Sequence, residues 1–179
     1  MPTMSDVLIA RLTVSRLGEN FNMEAFTDES KEARITNLWY DFIRKLVLEE
    51  ADWTFARRTK ALATHSVAAT DGFTYRYQEP SNCVLFRRIL SADGNRGIHP
   101  PYQREVEETT GEKTILTDTQ NACGQYTFDA VNTEHYTQLF IDCLVTRLGS
   151  KIAPDLIGGT SGRKKSADLL EEYQVLIKK

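Results

Sequence analysis

Apolar residues recur at helical spacing most clearly between Asp28 and Ala61. Ile35, Leu38, Trp39, Phe42 and Leu46 make one wide stripe, which predicts an amphipathic helix laid against a core. Thr27 or Asp28 is expected to cap it, because a short side-chain oxygen accepts a bond from an orphan helix N–H. Glu29 and Glu32 fall in the first turn, where the helix dipole favours negative charge. Asp52 marks a break and a new cap. A short second helix is then expected to carry Trp53, Phe55 and Ala56 inward and to leave Arg57, Arg58 and Lys60 outward, ending near Ala63.

The same period marks a first helix over Ser5 to Leu17, capped by Ser5, with Val7, Leu8, Leu12 and Ser15 on one face. Gly18 supplies its stop. After Ala69 the period changes to alternation. Phe73, Tyr75 and Tyr77 interleave with Thr74 and Arg76, and Pro80-Ser81-Asn82 turns the chain into a second strand, Cys83 to Leu90. Asp93-Gly94-Asn95 and Gly97 mark a loop that Pro100-Pro101 extends. Tyr102 to Glu107 and Thr114 to Leu116 predict a hairpin around Thr110-Gly111-Glu112, and Gln125 to Ala130 predicts a last strand. Helix returns at a Thr133 cap, with Tyr136, Phe140, Cys143, Leu144 and Leu148 as its buried stripe, and Pro154 is expected to end or kink it. Gly158-Gly159-Thr160-Ser161-Gly162 predicts a flexible break before a final amphipathic helix, Ser166 to Ile177. The expected architecture is mainly α: an antiparallel helical bundle with one small antiparallel β-sheet inserted between the hub helices and the C-terminal helices, an α+β arrangement dominated by its bundle. Within a single domain over 1–179 the expected segments are N-terminal helices 1–69, an inserted sheet 70–131, a bundle helix 132–157, and a hinge with a C-terminal helix 158–179.

Composition changes this picture little. The length of 179 residues is enough to bury a sizeable core, and 41% hydrophobic with 26% charged residues is ordinary for a globular chain. A formal net charge of -3 gives no bulk attraction to nucleic acid. Cys83, Cys123 and Cys143 form no CxxC pair, and their odd number suits a reducing compartment. The start, MPTMSDVLIARL, lacks the basic and apolar regions of a signal peptide, and no stretch approaches the ~20 apolar residues of a membrane helix.

Candidate chemistry is sparse. GGTSGRKKS, Gly158 to Ser166, fails as a phosphate loop because Arg163 takes the second glycine's place and no strand precedes it. It reads instead as a flexible linker with a basic end. His65, His99 and His135 lack ligand spacing, so no metal site is expected. Cys143 lies on an apolar helical face as a small core residue, and Cys83 or Cys123 would be reactive only with a histidine close by. Glu49, Glu50 and Asp52 read as a solvated face rather than an acid/base pair. Arg57, Arg58 and Lys60 beside Trp53 and Phe55 read as surface cations beside core aromatics.

Four features in order resemble the bacteriophage head-to-tail adaptor family, the head-completion or tail tubular A proteins. They are the N-terminal helix closing on Leu17-Gly18; the acidic cap, Leu38-Trp39-Tyr40 and then Trp53-Thr54-Phe55-Ala56-Arg57-Arg58 with Ala61-Leu62-Ala63; Phe73 and Tyr75-Arg76-Tyr77 leading to Pro80 and Cys83; and Tyr126-Thr127-Phe128 before a long helix through Leu148 to Ile152-Ala153. Asp52 stands where a proline is expected before the tryptophan, and Asn82 where an aspartate is expected before Cys83. The resemblance implies a non-enzymatic virion protein at the head–tail interface, with no cofactor, present in host cytoplasm during assembly. Its partners would be the portal protein, neighbouring subunits in a ring of about twelve copies closed by heterologous contacts, the tail nozzle protein, and DNA passing through without sequence-specific binding. The residues that carry the family likeness are Trp39, Trp53, Phe55, Arg57, Tyr75, Tyr77, Pro80 and Cys83. The C-terminal segment would reach the portal, through Leu169, Tyr173, Leu176, Ile177, Lys178 and Lys179. Mild acidity would suit a channel that conducts DNA without gripping it.

Two other readings come from different classes. One is a tail-associated cell-wall hydrolase using carboxylates such as Glu49 or Glu105, which needs one carboxyl in an apolar setting with a second nearby. The other is a DNA-binding module using Arg57, Arg58, Arg163, Lys164 and Lys165, which requires a steep salt dependence of binding.

Overall fold

A computed structural model describes residues 4–18, 23–90 and 99–178. The loop expected at Asp93 to Gly97, part of the connection after Gly18, and Lys179 lie outside the described residues. The chain forms two compact units: Met1–Phe55 with Ala130–Lys179, and Ala56–Asp129.

The first unit is helical. α1 (Asp6–Ser15) is capped by Ser5, whose Oγ accepts from Leu8 N at 3.1 Å. α2 (Lys31–Glu50) is capped by Ser30, not by Thr27 or Asp28. Asp28 instead accepts from the backbone N–H groups of Glu24 and Ala25, and the bond from Ala25 chiefly holds its carboxyl below the usual range. α3 (Gln138–Ile157) starts on a Thr137 cap, one 3₁₀ turn later than the expected start at Thr133. The stripe foreseen for it is fully committed: Tyr136, Phe140, Cys143, Leu144 and Leu148 are all buried. With Ile9, Val14, Ile43, Val47, Leu48 and Ile152 they form the core of this unit.

α3 does not stop at Pro154. It runs on to Ile157, and α4 (Gly159–Leu176) follows after a single residue. The stretch expected as a hinge is therefore a one-residue joint and the opening turns of a helix. Gly158 and Gly159 have φ of 76° and 54°, a left-handed turn that a side chain would strain. Proline at 154 removes the N–H that would bond the Ser150 carbonyl. That carbonyl is satisfied from the other helix instead: Ser166 Oγ donates to it at 2.6 Å. The helices also approach closely at Gly162, where a β-carbon would lie 3.0 Å from the Ala153 carbonyl oxygen.

The second unit corrects the expected fold class. This is an α+β chain and not a mainly-α bundle, because the insertion holds two three-stranded sheets in place of one small sheet. The strands are β1 (Arg57–Ala61), β2 (Tyr75–Gln78), β3 (Cys83–Leu90), β4 (Tyr102–Val106), β5 (Lys113–Thr117) and β6 (Cys123–Phe128). One sheet has the order β1-β6-β3 and the other β2-β5-β4, all pairs antiparallel. The hairpin expected around Gly111 is β4–β5.

The largest difference from the expected elements is β1, which occupies the place of the short second hub helix. Only a 3₁₀ turn, Thr54–Ala56, survives of that helix. Arg-Arg-Thr-Lys-Ala is exposed at every position, so it carries no alternation to read. It is a strand because β6 offers an edge, in the register Arg57↔Thr127 to Ala61↔Cys123. The chain also interleaves its pairings, since β3 joins β6 while β2 and β4 both join β5. The core of this unit draws on both sheets: Leu62, Tyr77, Phe86, Ile89, Ile115, Ala122 and Tyr126.

Candidate functional site

The strongest surface feature of the helical unit is the very stripe expected to be its core. Leu38 is 72% exposed and Phe42 is 60% exposed, while Ile35, Trp39 and Leu46 are only half-buried. α2 buries a different face, made of Ala33, Thr36, Tyr40, Ile43, Arg44, Val47 and Leu48. The two faces lie roughly 140° apart around the helix axis at 3.6 residues per turn. Both obey helical spacing, so periodicity alone cannot rank them. The buried face wins because polar groups on it find specific partners. Tyr40 Oη donates to Asp6 Oδ1 at 2.7 Å, and Arg44 Nη1 donates to the Ala130 carbonyl at 2.9 Å. Burial and then the neighbouring Asp6 raise the Tyr40 hydroxyl above its ordinary range.

The exposed face is a built ridge. Trp39 and Phe42 meet edge to face at 5.9 Å between centroids, and Lys151 Nζ stands 4.1 Å from the Trp39 ring centroid. Ring–ring and cation–ring contacts of this kind fix side-chain orientation before any partner arrives. Exposed large apolar side chains grouped on one helix mark an interaction surface.

Across α1, α3 and α4 the same unit has a cleft of about 440 Å³ lined by Leu12, Ile141, Val145 and Leu176. Its rim carries Arg16, Asp142 and Glu172. Arg16 bonds Glu172 and Thr146, both at 2.7 Å.

The C-terminal residues expected at the portal divide into two groups. Leu169 and Tyr173 are 3% and 2% exposed, inside the unit. Tyr173 Oη donates to Glu50 Oε2 at 2.5 Å, and Arg147 lies over the Tyr173 ring. Leu176 and Ile177 are half-buried and Lys178 is exposed; Lys179 lies outside the described residues.

The residues that carry the family likeness are also spread between roles. Trp53 is buried, donates its indole N–H to the Val47 carbonyl at 2.7 Å, and meets Phe140 edge to face. Phe55 stacks against Tyr136 and Phe140. Trp39 is on the ridge. In the second unit Arg57 is exposed on β1, Tyr75 and Tyr77 lie on β2, and Pro80 and Cys83 line an open cleft of about 530 Å³ with Lys60, Glu79 and Lys113. Burial, and then Glu79, push the Cys83 thiol up to about 12; burial pushes Cys143 up to about 11. Such thiols hold their protons and are poor nucleophiles.

The two carboxylates named for the hydrolase reading lie one in each unit, Glu49 in the helical unit and Glu105 in the sheets. Glu105 is ion-paired with buried Arg76 at 2.7 Å and accepts from Thr70. Asp41 and Glu107 are held below the usual carboxylate range, Asp41 by Lys45 and Arg44 and Glu107 by the turn at Thr109 and Thr110. A general acid needs the opposite shift. Of the cations of the DNA-binding reading, Arg57 and Arg58 sit on β1, with Arg58 over the Phe128 ring, and Arg163, Lys164 and Lys165 lie on the first turns of α4. His65 bonds Glu112 and His99 bonds Arg88. Among the described residues no group of three or more metal-ligating side chains gathers, and no helix is long and apolar enough to cross a membrane.

No protein-family model and no curated protein matches this sequence. The ridge was present in the sequence as a stripe, but its exposure was not. The signal that pointed outward was the second stripe, Tyr40, Ile43, Val47 and Leu48, at equally good spacing on the same helix.

Proposed function

We propose that this chain is a structural adaptor of a bacteriophage head-to-tail junction. It forms a ring beneath the portal, extends the DNA channel and presents a platform for the tail nozzle protein. The observation that carries this reading is the α2 ridge: Leu38 and Phe42 are exposed together on one face of α2, with Trp39 fixed beside them. A protein that acts by side-by-side assembly needs such a surface on a rigid element. The ordered motifs that resemble the adaptor family, from Leu17-Gly18 to Ile152-Ala153, give the reading its specific form. The portal contact falls to the tip of α4, at Ile177 and Lys178 with exposed Val175, because Leu169 and Tyr173 are committed to the interior. The role requires no cofactor and no turnover, and the protein works in the virion after assembly in host cytoplasm.

The test is the mass of the full chain, alone and mixed with portal rings of its own virus, by native mass spectrometry or light scattering. The expected result is a large complex with the portal that contains a ring of about twelve adaptor copies. A chain that remains unassociated with portal rings under assembly conditions overturns the proposal.

A further inference from the structure

β1 is an edge strand, and one side of its backbone is unspent. Leu62 N donates to the Ala122 carbonyl at 2.9 Å, one step beyond the pair Ala61↔Cys123. Antiparallel pairs alternate between bonded and non-bonded, so Lys60↔Gly124 and Arg58↔Tyr126 are bonded pairs as well. The N–H and C=O groups of Thr59 and Ala61 therefore point away from β6, and nothing among the described residues bonds them. All five residues of β1 are exposed.

The same edge already accepts a strand a little further on. Gln78 N donates to the Ala63 carbonyl at 2.8 Å, His65 N donates to the Arg76 carbonyl at 2.9 Å, and Thr64 bridges Tyr77. This short ladder stops where its register brings Pro80 opposite Ala61, because proline has no N–H to give. Glu79 N turns instead to the Lys113 carbonyl at 3.0 Å. The open cleft of about 530 Å³ lies there, lined by Ala61 and Ala63 together with Pro80, Ser81 and Lys113. Charge on the edge is one-sided. β1 carries Arg57, Arg58 and Lys60 with no carboxylate, and β6 beside it carries no charged residue. Around the cleft Arg104 binds Glu79, and Lys113 is matched by Glu112, so these four cancel. Asp129 comes after the end of β6, and Glu107 and Glu108 belong to the β4–β5 turn beyond Glu112.

We infer that the free edge of β1 binds an extended, acidic segment of a partner protein. The segment continues the interrupted ladder: its main chain bonds Thr59 and Ala61, and its carboxylates stand cross-strand from Arg58 and Lys60. Unpaired alternating N–H and C=O groups are complementary to a strand and to no other backbone form. A second copy of β1 is disfavoured as occupant, because the same cations would face one another. This surface belongs to the sheet unit, and the inference does not depend on the adaptor reading.

The experiment follows amide hydrogen exchange of the full chain with two pools of short, end-capped peptides. Both pools have Val or Thr at alternate positions; one has Glu between them and the other Lys. Peptides of the Glu pool are expected to slow exchange at Thr59 and Ala61 at least about tenfold, and to bind at least about tenfold more tightly than the Lys pool. Methylating alternate amide nitrogens of the best Glu peptide should abolish binding for one of the two alternate sets. Thr59→Pro removes an N–H that faces away from β6, so circular dichroism should show the fold retained while peptide binding falls at least about tenfold. Lys60→Glu should reverse the preference between the pools, a result that stands even if the proline variant fails to fold. The inference is overturned if no Glu peptide at millimolar concentration protects Thr59 and Ala61, if the Lys pool binds equally well, or if neither methylated set loses binding. Protection of these two amides on concentrating the protein alone also overturns it, since the occupant is then a second copy.

Discussion

Ser166 shows how one hydroxyl can decide whether a proline is tolerated. The Ser150 carbonyl loses its partner to Pro154 and regains one across the α3–α4 contact. A buried acceptor left without a donor costs about 1–3 kcal/mol. Ser166→Ala is therefore expected to destabilise the protein by about 1–2 kcal/mol in urea unfolding. The same change in a Pro154→Ala background should cost clearly less, because residue 154 then supplies its own N–H. Equal costs in both backgrounds would show that the hydroxyl acts some other way. Glu107 gives a second test at this scale. Its carboxylate accepts from Thr109 N at 3.0 Å and from Thr110 N at 2.7 Å, and these bonds, led by Thr109, lower its pKa to about 2. With the folded value depressed from 4.5, its contribution is complete above the ordinary pKa and fades as the pH falls from there toward about 2. Glu107→Gln should remove that part of the acid dependence and leave the behaviour at higher pH without slope from this group. Stability measured as a function of pH for both proteins reads the difference.

At the scale of elements, two helices trade the roles their sequences suggested. α2 was to bury Leu38 and Phe42, and α4 was to offer Leu169 and Tyr173 to a partner. The structure does the reverse in each case. Leu169→Ala should thus cost about 2–5 kcal/mol of folding stability, the price of a core truncation. Leu38→Ala should change stability by no more than about 0.5 kcal/mol, as for a surface position. Thermal or denaturant melts of the two variants compare them directly. These exchanges explain what could be read from the chain. The α3 stripe was legible because this helix is buried around most of its circumference, so a stripe read along it lands in the core. β3 and the β4–β5 hairpin were legible because branched residues and a Thr-Gly turn announce them locally. β1 was not, since its five residues take their conformation from β6, some seventy positions away in the register Arg57↔Thr127. The partition into two sheets was hidden for the same reason: pairing partners are set by long-range contacts, not by the strands' own patterns. Of the surface proposed to act, the residues were visible and their direction was not.

The whole molecule is a helical unit whose chain departs at Phe55 and returns at Ala130. The return point is held firmly, since the Ala130 carbonyl accepts from both Arg44 and Tyr136, the latter at 2.7 Å. Departure and return are also neighbours within the sheet unit. β1 leads in, β6 leads out, and Arg57 pairs with Thr127. Paired strands run about 5 Å apart, so the two ends of the insertion can be joined by a few residues. The sheet unit is in this sense a cassette. Excising 56–129 and closing the gap with a short glycine-serine link should leave a helical protein that still melts cooperatively by circular dichroism. Loss of cooperative melting would show that the helices depend on the cassette. If they do not, a different module spliced between Phe55 and Ala130 would inherit the helical unit with its exposed α2 ridge, and a lineage could change what hangs from its scaffold without redesigning the scaffold itself.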